Sequence, residues 1–122
     1  MNPLNVLVID DEQVICDACR LVLSEKGHTV AHRLTGQQGL RELERGDYDL
    51  VLLDMKLPDI DGLRILKIVE EKAPETCFVV MTGYSTMSNA IAAMKLGASD
   101  YLSKPFSEDE LLATIDQLFA GA

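Results

Sequence analysis

The sequence predicts an α/β domain with a parallel sheet covered by helices on both faces. Five short aliphatic runs alternate with five segments of helical periodicity, and the connections between them are short. Strands that alternate with helices in this way form parallel sheets, because right-handed crossovers place the helices on the sheet faces. The third aliphatic run, at residues 50–53, contains no polar residue, which is typical of a strand buried on both faces. We therefore expect a single domain over residues 1–122.

Runs of aliphatic and β-branched residues predict strands at residues 4–9, 28–32, 50–53, 76–81 and 99–102. The second run is the least apolar, which places it at or near an edge of the sheet. Asp54 directly follows the third run, and Pro58 and Gly62 then end the strand, because proline lacks an N–H and glycine tolerates a turn. Ligands of open α/β sheets bind at the carboxyl ends of the strands, so Asp54 lies at the predicted functional edge.

The five helices are predicted from apolar residues at helical spacing and from residues that start or stop helices. The expected starts are Asp61, Ser85 and Ser107, and the expected stops are Gly27, Gly46, Pro74 and Gly97. Ser107 with Glu110 forms a capping-box pattern. The inward-facing stripes are expected to be Ile15, Cys19 and Val22; Leu40 and Leu43; Leu63, Leu66 and Val69; Met87, Ala90, Ile91 and Met94; and Leu111, Ile115, Leu118 and Phe119.

Composition narrows the class of protein. A net charge of −9 argues against nucleic acid binding by this domain, since phosphate contacts need clustered Lys and Arg. The sequence has neither an apolar run of membrane-spanning length nor a signal sequence, so we expect a cytoplasmic protein that does not bind membranes. The three cysteines are expected to be free thiols, with Cys16 and Cys19 packed on the buried face of a helix. His28 and His32 have no matching ligand set, and we interpret them as ordinary surface or edge residues.

Chemically complementary residues follow four of the five predicted strands. Asp10 and Asp11 follow the first, Asp54 the third and Thr82 the fourth, and Lys104 follows the fifth. These side chains converge on one pocket if the four strands are neighbours in the sheet. Read singly, each residue is equally well explained as a helix cap, a strand-end residue or a solvated cation. Read together, they predict a functional site.

Three carboxylates at close range repel one another unless a cation offsets their charge. Hard oxygen ligands suit Mg²⁺, with Mn²⁺ able to substitute. An aspartate beside such an ion can attack phosphorus and form an acyl phosphate. Lys104 can pair with one phosphoryl oxygen, and the Thr82 hydroxyl can hydrogen-bond to another.

At these positions the sequence resembles the receiver domains of two-component response regulators, and the resemblance runs from Leu4 to Phe119. The segments that carry it are Asp10-Asp11, Val51-Leu52-Leu53-Asp54-Met55, Leu57-Pro58-Asp59-Ile60-Asp61-Gly62, Thr82-Gly83, Lys95-Leu96-Gly97-Ala98-Ser99-Asp100-Tyr101 and Lys104-Pro105-Phe106. Residues 94–102 look most like receivers of nitrogen-regulation-type transcriptional activators.

The resemblance implies a flavodoxin-like (βα)5 fold with strand order 2-1-3-4-5. Asp54 would accept a phosphoryl group from a phosphohistidine of a sensor histidine kinase or phosphotransfer protein. Asp11, Asp54 and the Lys56 backbone carbonyl would ligate Mg²⁺, and Asp10 would hold a water on the ion. Lys104 would contact the phosphoryl group, next to a cis bond to Pro105. Such a domain catalyses only its own phosphorylation and dephosphorylation, and it controls an output domain or partner, here expected in transcription regulation.

Phosphorylation is expected to act as a switch. Thr82 would move toward the phosphoryl group, and Tyr101 would swing from an exposed to an inward rotamer, which shifts a pre-existing two-state equilibrium. The readout surface would be the fourth helix, fifth strand and fifth helix, which is also the candidate homodimer face. Lys56 and Tyr84 each lie two residues beyond a site residue and could screen the phosphoryl group from water.

Three other functions remain open from the sequence. A Mg²⁺-dependent phosphatase would use the same nucleophile, but such enzymes typically place a second acid where this chain has Lys56. A flavin or nucleotide domain could share the fold, although Asp10-Asp11 stands where a glycine-rich phosphate loop would lie. A docking module could have the fold and no phosphorylation at all.

Overall fold

The computed structural model describes residues 2–72, 75–83 and 87–120. Strands and helices alternate along the chain as the sequence predicts. In order they are β1 (Asn5–Ile9), α1 (Gln13–Glu25), β2 (Thr29–Arg33), α2 (Gly36–Arg45), β3 (Leu50–Asp54), α3 (Gly62–Lys72), β4 (Cys77–Gly83), α4 (Met87–Lys95), β5 (Asp100–Lys104) and α5 (Glu108–Phe119). The predicted Pro74 stop and Ser85 cap lie outside the described residues.

The five strands form one parallel sheet in the order β2-β1-β3-β4-β5. This confirms the predicted fold class and strand order, and it confirms the position of β2 at an edge. The order makes β1, β3, β4 and β5 consecutive neighbours, so the four strand ends with complementary side chains lie side by side.

Two hydrophobic cores lie on opposite faces of the sheet, because successive strand residues point to opposite sides. Val8 and Leu52 belong to one core, which α1 and α5 cover. Leu7 and Leu53 belong to the other, which includes buried residues of α3 and α4. Every residue of β3 is buried, as the unbroken aliphatic run predicts.

Several helix ends form as their residue types predict. Gly27 follows α1 with a φ of 90°, a left-handed conformation that glycine adopts without strain. Ser107 and Glu110 form the predicted capping box at the start of α5, with N···O distances of 3.0 and 3.2 Å. The Thr35 hydroxyl accepts a hydrogen bond from the Gln38 N–H at the start of α2.

The prediction for the inward face of α4 is wrong in part. Ala90 is buried as expected, but Ile91 is 53% exposed and Met94 is 41% exposed. The buried residue on the same face as Ala90 is Ala93. Nearly every residue of this helix is apolar or small, so periodicity alone does not select its buried face. The side chain of Met87 lies outside the described residues.

The interpretation of His28 as an ordinary surface or edge residue is also wrong. Its ring is buried, and Nδ1 accepts a hydrogen bond from the Leu4 N–H at 2.9 Å. The ring thus satisfies a backbone donor just before β1, a long-range contact that sequence spacing does not reveal. His32 is partly exposed on the edge strand β2, as expected.

The cysteines behave as the sequence predicts. All three are free thiols, and Cys16 and Cys19 are buried in the core beneath α1. Burial raises the pKa of Cys16 to about 11 and that of Cys19 to about 12. Within the described ranges, no helix has the length and apolar character needed to cross a membrane.

Candidate functional site

A cavity of about 270 Å³ lies at the carboxyl ends of β1, β3, β4 and β5. Five predicted site residues line it: Asp11, Asp54, Lys56, Thr82 and Lys104. The parallel sheet brings them together, because each follows or ends a strand at the same edge.

Asp10 and Lys104 form the closest ion pair of the site. Lys104 Nζ lies 2.7 Å from Asp10 Oδ2, and Asp10 is fully buried. The other Asp10 oxygen, Oδ1, accepts a hydrogen bond from the Glu12 N–H at 2.9 Å. Desolvation acts to lower the pKa of Lys104, but the hydrogen bond and charge of Asp10 outweigh it and raise the pKa above its usual value. The site therefore contains a permanent ammonium group.

Asp54 ends β3 and is almost completely buried. Its Oδ1 accepts a hydrogen bond from the Lys56 N–H at 3.1 Å and lies 3.6 Å from Lys104 Nζ. Burial raises the pKa of Asp54 to about 6; the Lys56 hydrogen bond opposes this rise, and the negative charge of Asp10 adds to it. Lys104 offsets part of the charge of ionised Asp54, and a further cation beside this carboxylate would be stabilising.

An acidic cluster occupies the β1 side of the cavity. Carboxylate oxygens of Asp10, Asp11 and Glu12 all lie within 4.8 Å of one another. Grouped carboxylates are the donors that Mg²⁺ prefers, so this donor set fits a divalent ion. Glu12 was not among the predicted site residues, although it directly follows the acidic pair and its carboxylate lies 3.6 Å from Lys104 Nζ. Its position next to that pair was the available signal.

The remaining predicted residues lie on β4 and β5. Thr82 is buried, and its strand pairs with β5 so that Gly83 lies opposite Lys104. Tyr101, on β5, is 39% exposed. The peptide bond between Lys104 and Pro105 is cis, as the resemblance implies. Tyr84 lies outside the described residues.

This chain is similar to a protein-family model of response regulators and to curated transcriptional regulatory proteins. The sequence model of the response regulator receiver domain matches residues 6–116. The transcriptional regulatory protein DltR of Streptococcus agalactiae is 42% identical over 112 residues, which are 92% of this chain and 50% of DltR. The transcriptional regulatory protein ZraR of Escherichia coli is 35% identical over 117 residues, 96% of this chain and 26% of ZraR. The chain thus spans about half of the one relative and about a quarter of the other.

Solved structures share the fold over nearly the whole chain. NtrX from Brucella abortus superposes with a TM-score of 0.90 at 30% identity, over 95% of this chain and 26% of NtrX. A CheY-like response regulator receiver domain protein from Methanospirillum hungatei superposes with a TM-score of 0.90 at 29% identity, over 96% of this chain and 94% of that chain.

Proposed function

The chain belongs to the response regulator receiver domains, and from this premise we propose that Asp54 accepts a phosphoryl group from a phosphohistidine of a partner kinase or phosphotransfer protein. Members of this family are signalling domains and not classical enzymes, they interact with histidine kinases, and they normally bind Mg²⁺. The observation that carries the proposal is the position of Lys104, whose Nζ lies 2.7 Å from Asp10 Oδ2 and 3.6 Å from Asp54 Oδ1. Asp54 and Lys104 both line the small cavity at this end of the sheet.

The residues that would hold a divalent ion are Asp11, Asp54 and the Lys56 backbone carbonyl, with Asp10 acting through water and Glu12 at the margin. When bound, Mg²⁺, or Mn²⁺ in its place, offsets the carboxylate charge and polarises the phosphoryl oxygens. The cluster of Asp10, Asp11 and Glu12 oxygens supports a divalent ion on the β1 side of the cavity, and the roles of Asp54 and the Lys56 carbonyl follow from the resemblance to receiver domains.

The transfer itself is a displacement at phosphorus. A carboxylate oxygen of Asp54 forms the new O–P bond, and the P–N bond of the phosphohistidine breaks with its electron pair going to the departing imidazole. Lys104 offsets the charge of the phosphoryl oxygens, and its Nζ already lies 3.6 Å from Asp54 Oδ1. The Thr82 hydroxyl donates a hydrogen bond to another phosphoryl oxygen. The domain thus promotes its own phosphorylation and dephosphorylation only.

Phosphorylation adds close to two negative charges and three acceptor oxygens beside Thr82 and Lys104. In our proposal Thr82 moves toward them, and Tyr101 turns inward into the space that Thr82 leaves. The surface that responds is α4, β5 and α5, where Ile91, Met94 and Tyr101 are exposed. This surface contacts an output domain, a partner or a second copy of the chain. The protein thereby acts in transcription regulation, in the cytoplasm.

Residues 1–122 act together as one receiver domain. Lys56 and Tyr84 screen the phosphoryl group from water and so set its lifetime.

The test is incubation with acetyl phosphate and Mg²⁺, followed by measurement of intact mass. We expect a single phosphoryl adduct on the wild-type chain and none on Asp54→Asn. Asp49→Asn is the matched control, because Asp49 directly precedes β3 at the opposite edge of the sheet and should leave the adduct unchanged. Absence of the adduct from the wild type would favour the docking module, and repeated turnover of a generic phosphate ester would favour the phosphatase.

A further inference from the structure

The loop between β3 and α3, residues 55–61, is fastened to the start of α2. Asp59 Oδ1 accepts a hydrogen bond from the Gly36 N–H at 2.8 Å, and Oδ2 accepts one from the Gln37 N–H at 2.9 Å. Gly36 and Gln37 are the first two residues of α2, whose N–H groups have no partner within the helix. One carboxylate therefore ties together two segments more than twenty residues apart.

The charge of Asp59 strengthens this contact. A carboxylate at a helix N-terminus is favoured by the helix dipole and by charge-assisted hydrogen bonds. Desolvation acts to raise the pKa of Asp59, but hydrogen bonds from backbone N–H groups outweigh it and hold the pKa below its usual value. The donors are the N–H groups of Gln37, Gly36, Asp59 and Ile60.

The packing around Gly36 shows that α2 is seated closely on the loop and on α3. A Cβ atom at Gly36 would lie 2.9 Å from Ile65 Cδ1 and 3.2 Å from both Asp59 Oδ1 and Ile60 Cβ. A side chain at Gly36 would displace Ile65 Cδ1 and crowd the Asp59 carboxylate, so glycine favours this close approach. The start of α2 thus packs directly against the loop.

The same loop begins at the proposed phosphoacceptor. The Lys56 N–H donates to Asp54 Oδ1, and Lys56 pairs with Asp61 in an isolated antiparallel bridge that closes the loop. Asp59 lies between the two ends of this bridge. Restraining Asp59 therefore restrains the Lys56 main chain, whose N–H contacts Asp54 and whose carbonyl is a proposed ion ligand.

We infer that Asp59 is a positioning residue of the proposed site: its carboxylate clamps the β3–α3 loop onto the start of α2 and so holds the Lys56 main chain against Asp54. The inference rests on the proposed function for its effect on ion binding. The restraint of the Lys56 main chain by Asp59 does not depend on that function and can be tested without phosphorylation.

The chain offers a matched control in Thr35, whose hydroxyl caps the same helix through the Gln38 N–H. Thr35→Ala weakens the start of α2 and leaves the hydrogen bonds of Asp59 in place, whereas Asp59→Ala removes both bonds to α2. In Asp59→Asn the amide oxygen can still accept from one N–H, but the NH₂ group cannot accept from the other. Asp59→Asn also keeps the inference testable if Asp59→Ala does not fold.

Two readouts separate a positioning role from simple loss of stability: hydrogen exchange of the Lys56 amide, and the Mg²⁺ dissociation constant from calorimetric titration. For Asp59→Ala we expect Lys56 exchange to accelerate at least tenfold, because the loss of one hydrogen bond to a charged group already corresponds to about that factor. We also expect Mg²⁺ affinity to fall about tenfold, the low end for residues that support ligands. For Asp59→Asn, the Lys56 exchange rate and the Mg²⁺ affinity should lie between those of the wild type and Asp59→Ala. For Thr35→Ala, both should stay within about twofold of the wild type.

The inference is overturned if Thr35→Ala and Asp59→Ala change both readouts equally, or if Asp59→Ala and Asp59→Asn leave Lys56 exchange unchanged. A wild-type chain that fails to form the acetyl phosphate adduct would refute the proposed function instead. In that case Lys56 exchange alone decides the role of Asp59.

Discussion

Replacing the proposed phosphoacceptor Asp54 by Asn should stabilise the fold at neutral pH when no divalent ion is present. The carboxylate is nearly fully buried and lies near the buried charge of Asp10, and Lys104 offsets only part of this charge. An Asn oxygen can still accept the hydrogen bond from the Lys56 N–H, so the substitution removes the charge and keeps the contact. The wild-type residue therefore destabilises the ion-free domain.

The magnitude follows from the pKa of Asp54, which burial raises from 3.8 to about 6. Each pKa unit corresponds to about 1.4 kcal/mol, so ionised Asp54 lowers the free energy of unfolding by at most about 3 kcal/mol. Between pH 4 and pH 6 the folded state holds a proton that the unfolded state has released. The contribution of Asp54 to wild-type stability therefore falls as pH rises through this window, and above pH 6 the full loss remains.

The assay is urea denaturation of the wild type and Asp54→Asn in chelator at several pH values from 4 to 8. The difference in the free energy of unfolding should be smallest at pH 4 and grow toward about 3 kcal/mol above pH 6, since other titrating groups cancel. Added Mg²⁺ should narrow this difference by stabilising the wild type more than Asp54→Asn. Asp116→Asn, at an exposed position on α5, controls for the loss of one negative charge. A difference that does not change with pH, or a less stable Asp54→Asn at pH 7 in chelator, would refute the reasoning.

Two further substitutions or labels test the site and the core. Lys104→Met leaves the fully buried carboxylate of Asp10 without its ion pair. Urea denaturation should show a free energy of unfolding that is lower by about 3–5 kcal/mol. A loss below about 1 kcal/mol, the value of an exposed ion pair, would contradict this prediction. Iodoacetamide at pH 8 should leave Cys16 and Cys19 of the folded chain unmodified, because burial raises their pKa to about 11 and 12. Intact mass should then show at most one label, on Cys77, against three in urea.

The fold could be predicted from the sequence because its elements are set by local patterns. The unbroken aliphatic run predicts the buried strand β3, and Gly27, with its left-handed φ of 90°, marks the end of α1. The convergence of Asp10, Asp54 and Lys104 could be predicted once the resemblance to receiver domains supplied the strand order, since neighbouring parallel strands place their carboxyl ends together.

The rest depended on tertiary contacts that no local pattern encodes. The face of α4 that is buried carries the small residues Ala90 and Ala93, while Ile91 stays exposed despite its larger apolar side chain. His28 is buried because its ring accepts a hydrogen bond from the Leu4 N–H, 24 residues away. Asp59 contacts the start of α2 over a similar separation, so its sequence context indicates only a turn.

The most direct measurement of the central claim is the chemical position of the phosphoryl group. After treatment with acetyl phosphate, borohydride reduction converts an aspartyl phosphate to homoserine, which tandem mass spectrometry can locate. We expect homoserine at position 54 alone, formed in Mg²⁺ and absent in chelator. Homoserine at any other position, or equal labelling of position 54 in chelator, would contradict the account.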